Sequence, residues 1–330
     1  MQRSLLSLPL NFSLRNKLFN AGFRVIADLQ RLTDSELIHE AGVSQQDVLE
    51  LLQAVRGEGG DAWSSSTSLE LLQKEGESRS IVSFCSQLDE ALSGGVPVGK
   101  ITEVCGTPGV GKTQLCLQVA VDVQIPPCFG GLGGHVIFVD TEGGFLLQRI
   151  EDIAAAVVRH CSLLVEDDEQ REGILTFTVE TILSNIYVVR CNDYIEVLAQ
   201  LHLLPDFLLE HPRTCLLVID SVACPFRHIE VVSQRTQLLQ SLGLQLTNLA
   251  IRYNLAVLVT NHMTTRLQGS QSQLVPALGE LWGHAPTIRL LLQWLNSQRV
   301  AIVVKSPDHM EAIVQYQITS DGLRDVDESV

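Results

Sequence analysis

Residues 101–124 read ITEVCGTPGVGKTQLCLQVAVDVQ. The opening ITEVC has the β-branched, mostly apolar character of a buried strand, and QLCLQVAVDVQ has helical periodicity. Between them, Gly106-Thr107-Pro108-Gly109-Val110-Gly111-Lys112-Thr113 satisfies the pattern G-x-x-x-x-G-K-[S/T], so the order is strand, glycine loop, helix. That is a P-loop in the context its chemistry requires. Glycines let successive amides turn toward phosphate oxygens, and the helix N-terminus adds partial positive charge. Lys112 then reaches the β- and γ-phosphates, and Thr113 supplies a hydroxyl to Mg²⁺. Gln114, next on the helix, is counted with the nucleotide-binding set. The expected ligands are ATP and Mg²⁺. With this composition the pattern arises by chance in roughly three sequences per thousand.

A P-loop needs a second acid for its metal, and LLVID places Asp220 at the end of an apolar strand. Asp220 is the expected Walker B acid. The rival is Asp140, at the end of HVIFVD and followed by Thr141-Glu142-Gly143-Gly144. With Asp220 on the metal, Glu142 is the candidate base for a water attacking the γ-phosphorus.

Beyond these strands lie IYVVR and AVLVT, alternating with helical patterns, then IRLLLQW, VAIVV and AIVQYQI with little helix between them. The first group predicts a parallel sheet wrapped by helices, and the last three predict antiparallel edge strands. The fold class is α/β, a P-loop ATPase core over residues 79–330. Residues 1–56 read as a small all-α domain in which basic and acidic charges cancel. Two of its helices meet at Ala41-Gly42-Val43, capped by Thr33 or Asp34 and by Ser44, which is helix-hairpin-helix spacing. Such a hairpin serves either backbone contact with DNA or protein docking. Residues 57–78, opening with GEGGDAWSSSTS, have linker chemistry.

The chain has 330 residues, 45% of them hydrophobic and 18% charged, which excludes a disordered chain. Lys+Arg of 23 against Asp+Glu of 38 leaves a formal charge of −15. That charge opposes a broad polyanion-binding surface, so any DNA contact is expected to be local. Eight cysteines without a CxxC pair predict reduced thiols rather than a zinc site or a disulfide framework. No run is apolar enough for a membrane span or signal peptide, so a soluble intracellular protein with no membrane partner is expected. A Lys/Arg cluster for nuclear import is not visible, so nuclear entry would depend on a partner.

GTPGVGKT, DTEGGF, LLVIDS and VLVTN occur here in an order that resembles the RecA-like recombinases of eukaryotes and archaea. LLPDFLLEHP, CPFRH and ALGELWGHA resemble more specifically the C-type paralogue group of the eukaryotic strand-exchange recombinase. The resemblance covers essentially the whole chain. It implies a RecA-type ATPase core with ATP held between adjacent subunits, and a role in homologous recombination repair in the nucleus, with a cytoplasmic pool. It implies as partners other RecA-like paralogues in a hetero-oligomer, the strand-exchange recombinase, and single-stranded or branched DNA. On matching positions it makes Lys112 and Thr113 the Walker A pair, Asp220 the Walker B acid and Glu142 the catalytic glutamate. Arg149 falls where the family stacks an arginine on adenine; an exposed helix arginine is the alternative. The first DNA-facing loop would be Phe226 to Ser233, carrying Arg227 and His228 with Arg235 just beyond, and the second Met263 to Gly283, carrying Arg266. His284 matches a histidine linking ATP to that loop, or is a satisfied interior histidine.

Three departures stand against the family pattern. Asn261-His262 replaces the usual Asn-Gln, whose glutamine senses the γ-phosphate; both residues are kept in the nucleotide-binding set. The second loop has one basic residue, Arg266, against one acid, Glu280. Lys305-Ser306-Pro307 has lysine where filament formers place an aspartate. Lys305 and Pro307 would then cap a neighbour's triphosphate, the alternative being a solvated lysine beyond an edge strand. The leading function is an ATP-binding recombination mediator, a weak DNA-dependent ATPase promoting recombinase assembly on single-stranded DNA. Its alternative is a non-hydrolysing, nucleotide-gated scaffold subunit. A small-molecule kinase would need an arginine-rich lid, which the sequence lacks.

The charge balance yields a test. The isolated chain should bind single-stranded DNA weakly with a shallow salt slope, and anisotropy over a salt series would show tight, steeply salt-dependent binding if the loops grip DNA alone.

Overall fold

The computed structural model describes residues 12–29, 34–44, 79–268, 271–307 and 312–326, with positions 47, 48, 51, 67–69 and 72. The chain divides into two compact units, residues 1–77 and 78–330. In the first, helices Phe12–Asn20, Ile26–Leu29 and Asp34–Ala41 enclose Leu14, Leu18, Phe23, Leu37 and Val48. The chain turns at Gly42, whose φ of 62° suits a residue without Cβ. Ser44 Oγ then accepts from Asp47 N at 3.1 Å while Ser44 N donates to Asp47 Oδ2 at 3.0 Å, a reciprocal cap on the next helical segment. Thr33 and most of the linker expected at 57–78 lie outside the described residues.

The second unit carries the sheet. Its strands, with the hairpins beside it, are Ser80–Ile81 (β1), Val96–Pro97 (β2), Ile101–Gly106 (β3), His135–Asp140 (β4), Ile186–Arg190 (β5), Thr214–Asp220 (β6), Ala256–Asn261 (β7), Met263–Gln268 (β8), Gln271–Pro276 (β9), Ile288–Leu295 (β10), Gln298–Lys305 (β11), Ile313–Thr319 (β12) and Gly322–Arg324 (β13). Nine of them form one sheet in the order β13-β12-β11-β10-β3-β7-β6-β4-β5. From β10 to β5 every pairing is parallel, and from β10 to β13 every pairing is antiparallel.

Side-chain alternation explains the continuous apolar runs. Val136 and Phe138 of β4, Leu216 and Val218 of β6, and Ala256 and Leu258 of β7 face one core, which helices Lys112–Asp122 and Leu147–Leu163 cover. Their neighbours Ile137, Val139, Leu217, Ile219, Val257 and Val259 face a second core, under helices Tyr194–Glu210 and Val232–Tyr253. Both faces are buried, so both positions of the alternation are apolar through the middle of these three strands.

One sequence expectation needs correction. IRLLLQW is not an antiparallel edge strand: β10 pairs parallel with β3 and antiparallel with β11, forming the seam between the two halves of the sheet. Its neighbour β3 ends in the P-loop, and a tight turn at Asn296 and Ser297, both at positive φ, sends β11 back alongside. The stretch from Met263 to Gly283, which the family resemblance makes the second DNA-facing loop, has regular structure. It contains the β8–β9 hairpin and a helical turn, Gly279–Trp282.

At the seam lies a buried charge. Glu103, in the middle of β3, is fully buried and accepts from Arg289 Nε at 2.5 Å, Trp282 Nε1 at 2.6 Å and Asn261 Nδ2 at 2.8 Å. One carboxylate thus joins β3, β7, β10 and the helical turn. A buried carboxylate is tolerated only with such compensation. Arg289→Ala should therefore lower stability by about 3–5 kcal/mol, measured by urea unfolding, because it leaves that charge buried and unpaired.

Candidate functional site

Because β3, β6, β4 and β7 run parallel, their C-terminal ends lie along one edge of the sheet, and the expected chemistry gathers there. After β3 the chain turns through Gly109 and Gly111, at φ of 81° and 114°. The positive φ itself calls for glycine, and a Cβ on Gly111 would stand 2.5 Å from Ile318 Cδ1, a side-chain tip that would have to move. Helix Lys112–Asp122 starts immediately after it. Lys112 Nζ donates to the carbonyls of Gly106 at 2.9 Å and Thr107 at 3.2 Å, folding back over the loop it follows. Burial lowers the Lys112 pKa, against the opposing pull of Asp220 and Glu142.

Asp220 closes β6 and is almost completely buried. Thr113 Oγ1 donates to its Oδ2 at 2.6 Å, and Thr260 Oγ1, from the end of β7, donates to its Oδ1. Burial pushes the Asp220 pKa up, and the two hydroxyls oppose that rise. Its rival Asp140 does something different. Asp140 Oδ1 accepts from Glu142 N at 3.2 Å, Gly143 N at 2.8 Å and Gly144 N at 3.0 Å, while Oδ2 accepts from Phe145 N at 3.3 Å. Asp140 winds the following loop around itself, and a Cβ added to Gly144 would stand 3.5 Å from Thr113 Cγ2 and 3.8 Å from Asp220 Oδ2.

That loop presents Glu142. His262 Nε2 stands 2.7 Å from Glu142 Oε1, and Ser221 Oγ donates to the same oxygen. The hydrogen bond from His262 is the main influence holding the Glu142 carboxyl below its usual pKa, with burial opposing it and Ser221 and Lys112 assisting. Thr141 Oγ1 donates to Ser221 O at 2.8 Å and accepts from Ser221 N at 2.7 Å, stitching the two strand ends together.

The residues fit both expected ligands. Turned glycines, a lysine and a helix N-terminus suit a triphosphate, and a threonine hydroxyl beside a carboxylate is the hard oxygen pair that Mg²⁺ takes. Lys112 and the Gly106–Gly111 backbone would hold the phosphates, and Thr113 and Asp220 the metal, which would neutralise charge developing on the phosphate oxygens.

Other expected residues are placed differently. Asn261 is corrected: it is fully buried, and its amide nitrogen donates to Glu103 and, at 2.9 Å, to Ala277 O, so its donors serve the seam rather than a nucleotide. Arg149 is no loose helix arginine; it donates to Gln114 Oε1 at 2.6 Å and to the carbonyls of Thr319 and Ser320 at 2.8 and 2.5 Å. His284 is exposed, which overturns an interior histidine. Lys305 is not a solvated lysine beyond an edge strand. It ends β11, which lies inside the sheet, and Nζ donates to the carbonyls of Gly283, His284 and Pro286 at 3.2, 3.3 and 2.6 Å. Those three bonds use the donors of its ammonium. Pro307 is exposed. Arg227 and His228 are exposed neighbours in contact with each other, and Arg235 lies in the first turns of helix Val232–Tyr253. Arg266 is paired with Glu280 at 2.5 Å, so the second loop's basic residue is neutralised within the loop.

Sequence reasoning missed Ser221, Thr260, Glu103, Trp282 and Arg289. Glu103 carried a usable signal, since a charged residue in the middle of ITEVC demands a buried partner. The hydroxyls carried none, being ordinary residues at strand ends.

Fold and site together define a P-loop protein with a RecA-like α/β core, carrying paired acids beside the phosphate loop. A family model described as Rad51 matches residues 75–167 and 170–326, more than half of the chain, and the chain belongs to the Rad51 family. It is 48% identical over 339 residues to "DNA repair protein RAD51 homolog 3" of Cricetulus griseus, covering 98% of this chain and 93% of that protein. With the protein of the same name from Dictyostelium discoideum it shares 40% identity over 259 residues, 78% of this chain and 68% of that one. "DNA repair and recombination protein RadA" of Metallosphaera sedula is 31% identical over 321 residues, 95% of this chain and 92% of that protein.

The site geometry predicts the outcome of removing its cation. Lys112→Ala should weaken Mg-ATP binding about 10–100-fold through loss of a charge-assisted phosphate contact, and equilibrium nucleotide titration would detect it.

Proposed function

We propose that this chain is an ATP-binding recombination mediator, a Rad51 paralogue that works in homologous recombination repair of DNA in the nucleus. The observation that carries the reading is the assembly of Lys112, Thr113, Asp220 and Glu142 at one sheet edge in a chain 48% identical to a DNA repair protein. ATP with Mg²⁺ is the expected ligand pair, and weak hydrolysis by attack of water is the expected chemistry. Lys112 would carry phosphate charge and Glu142 would take the proton from water.

The chain's own basic residues favour work in an assembly over DNA binding alone. Arg266, Arg289 and Lys305 are all engaged within the chain. Other Rad51-family subunits and the strand-exchange recombinase are the partners proposed, with single-stranded or branched DNA reached through the complex. One surface supports such a contact. β5 is the edge of the main sheet, and beside it Ile137, Val139, Tyr187, Val189, Leu201 and Phe207 line an apolar groove of about 230 Å³. An extended partner segment adding to β5 could place one apolar side chain there. Among the described residues no helix is long and apolar enough to cross a membrane.

Expression of this chain in Chinese hamster cells lacking the 48% identical relative should restore repair of a reporter break by recombination, and Lys112→Ala should not. Failure of the wild-type chain, expressed and nuclear, would count against the mediator role. Glu142→Gln in the same cells separates turnover from scaffolding: loss of repair favours the hydrolysing subunit, and full repair favours a scaffold gated by nucleotide binding.

A further inference from the structure

Glu142 is held in an asymmetric way. Both of its hydrogen-bond donors, His262 Nε2 and Ser221 Oγ, meet on Oε1, and no donor among the described residues is assigned to Oε2. The two donors come from rigid places. His262 follows directly on β7, and its carbonyl accepts from Ala277 N at 2.8 Å. Ser221 follows β6, is fully buried, accepts from Cys224 N at 3.2 Å, and is bound through its backbone to Thr141. Asp140 meanwhile fixes the backbone of the loop from which Glu142 projects.

We propose that His262 and Ser221 are positioning residues that anchor one oxygen of Glu142 and reserve the other, Oε2, as the proton acceptor for the attacking water. In the step this serves, the water oxygen bonds to the γ-phosphorus and its proton passes to Oε2. The bond from that phosphorus to the bridging β-phosphate oxygen breaks, leaving ADP and inorganic phosphate. A carboxylate swinging about its terminal torsions would seldom face the water, and two donors on one oxygen remove that freedom. Histidine at position 262 is then a replacement for glutamine that keeps an N–H donor aimed at the base. The inference rests on the reading of Glu142 as the base.

The test uses the full chain in excess over Mg-ATP, so that a single slow turnover is resolved, with nucleotide titration alongside. His262→Leu should slow phosphate release about 10–100-fold while Mg-ATP affinity stays within about twofold. His262→Gln, which restores an N–H donor, should return the rate to within about threefold of wild type, and Ser221→Ala should slow it as His262→Leu does. In the Glu142→Gln background, His262→Leu should add no further loss, because the two act as one unit. A wild-type rate in His262→Leu, a His262→Gln variant as slow as His262→Leu, or an additive loss in the double variant would each overturn the anchor. If Glu142→Gln turns over as fast as wild type, or wild type releases no phosphate, the base reading itself fails and the anchor with it.

Discussion

The site is organised by one desolvated carboxylate. Asp220 is buried, and each of its oxygens takes a hydroxyl, Thr113 from the P-loop helix on one side and Thr260 from β7 on the other. A carboxylate this far from water is tolerable only when hydrogen bonds replace its hydration, so the three elements must meet at a fixed distance. Everything else at the edge is arranged around that meeting point. The loop wound on Asp140 delivers Glu142 to donors from the ends of β6 and β7.

A second buried carboxylate, Glu103, performs the equivalent task where the parallel and antiparallel halves of the sheet join. Its partners reach it from β7, from β10 and from the helical turn before β10. The adjacent residues Asn261 and His262 divide between the two centres. Asn261 is turned inward to Glu103 and Ala277, and His262 reaches Glu142. A single step along the end of β7 therefore separates a residue that fastens the seam from one that touches the nucleotide machinery. The base of the β8–β9 hairpin is tied to both, through Ala277.

Charge is spent internally. Arg289 neutralises Glu103, Arg266 pairs with Glu280, Arg149 spans Gln114 and two backbone carbonyls, and Lys305 gathers three carbonyls at the end of a helical turn. The formal charge of −15 likewise opposes a broad polyanion-binding surface.

The glycine loop, its strand and its helix were legible from residues 101–124 alone, because a P-loop requires specific residue types at specific spacing. Asp220 and Glu142 were legible once the P-loop was accepted, since parallel strands bring their C-terminal ends to one edge. The alternation of apolar strand runs with helical patterns set the α/β class, and the charge balance set the weak polyanion character. Partner choice among side chains was decided only by the tertiary structure. Nothing local distinguishes an asparagine that faces a nucleotide from one that caps a buried glutamate 158 residues away, as Asn261 does. The same holds for Lys305, whose ammonium reaches the carbonyls of Gly283, His284 and Pro286 from the end of a strand inside the sheet. Strand direction at β10 was equally hidden, because an apolar run buried on both faces reads alike whether its neighbour runs parallel or antiparallel. Hydrogen-bond partners and strand neighbours are properties of the packed chain, set by burial and by the need to satisfy every polar group withdrawn from water.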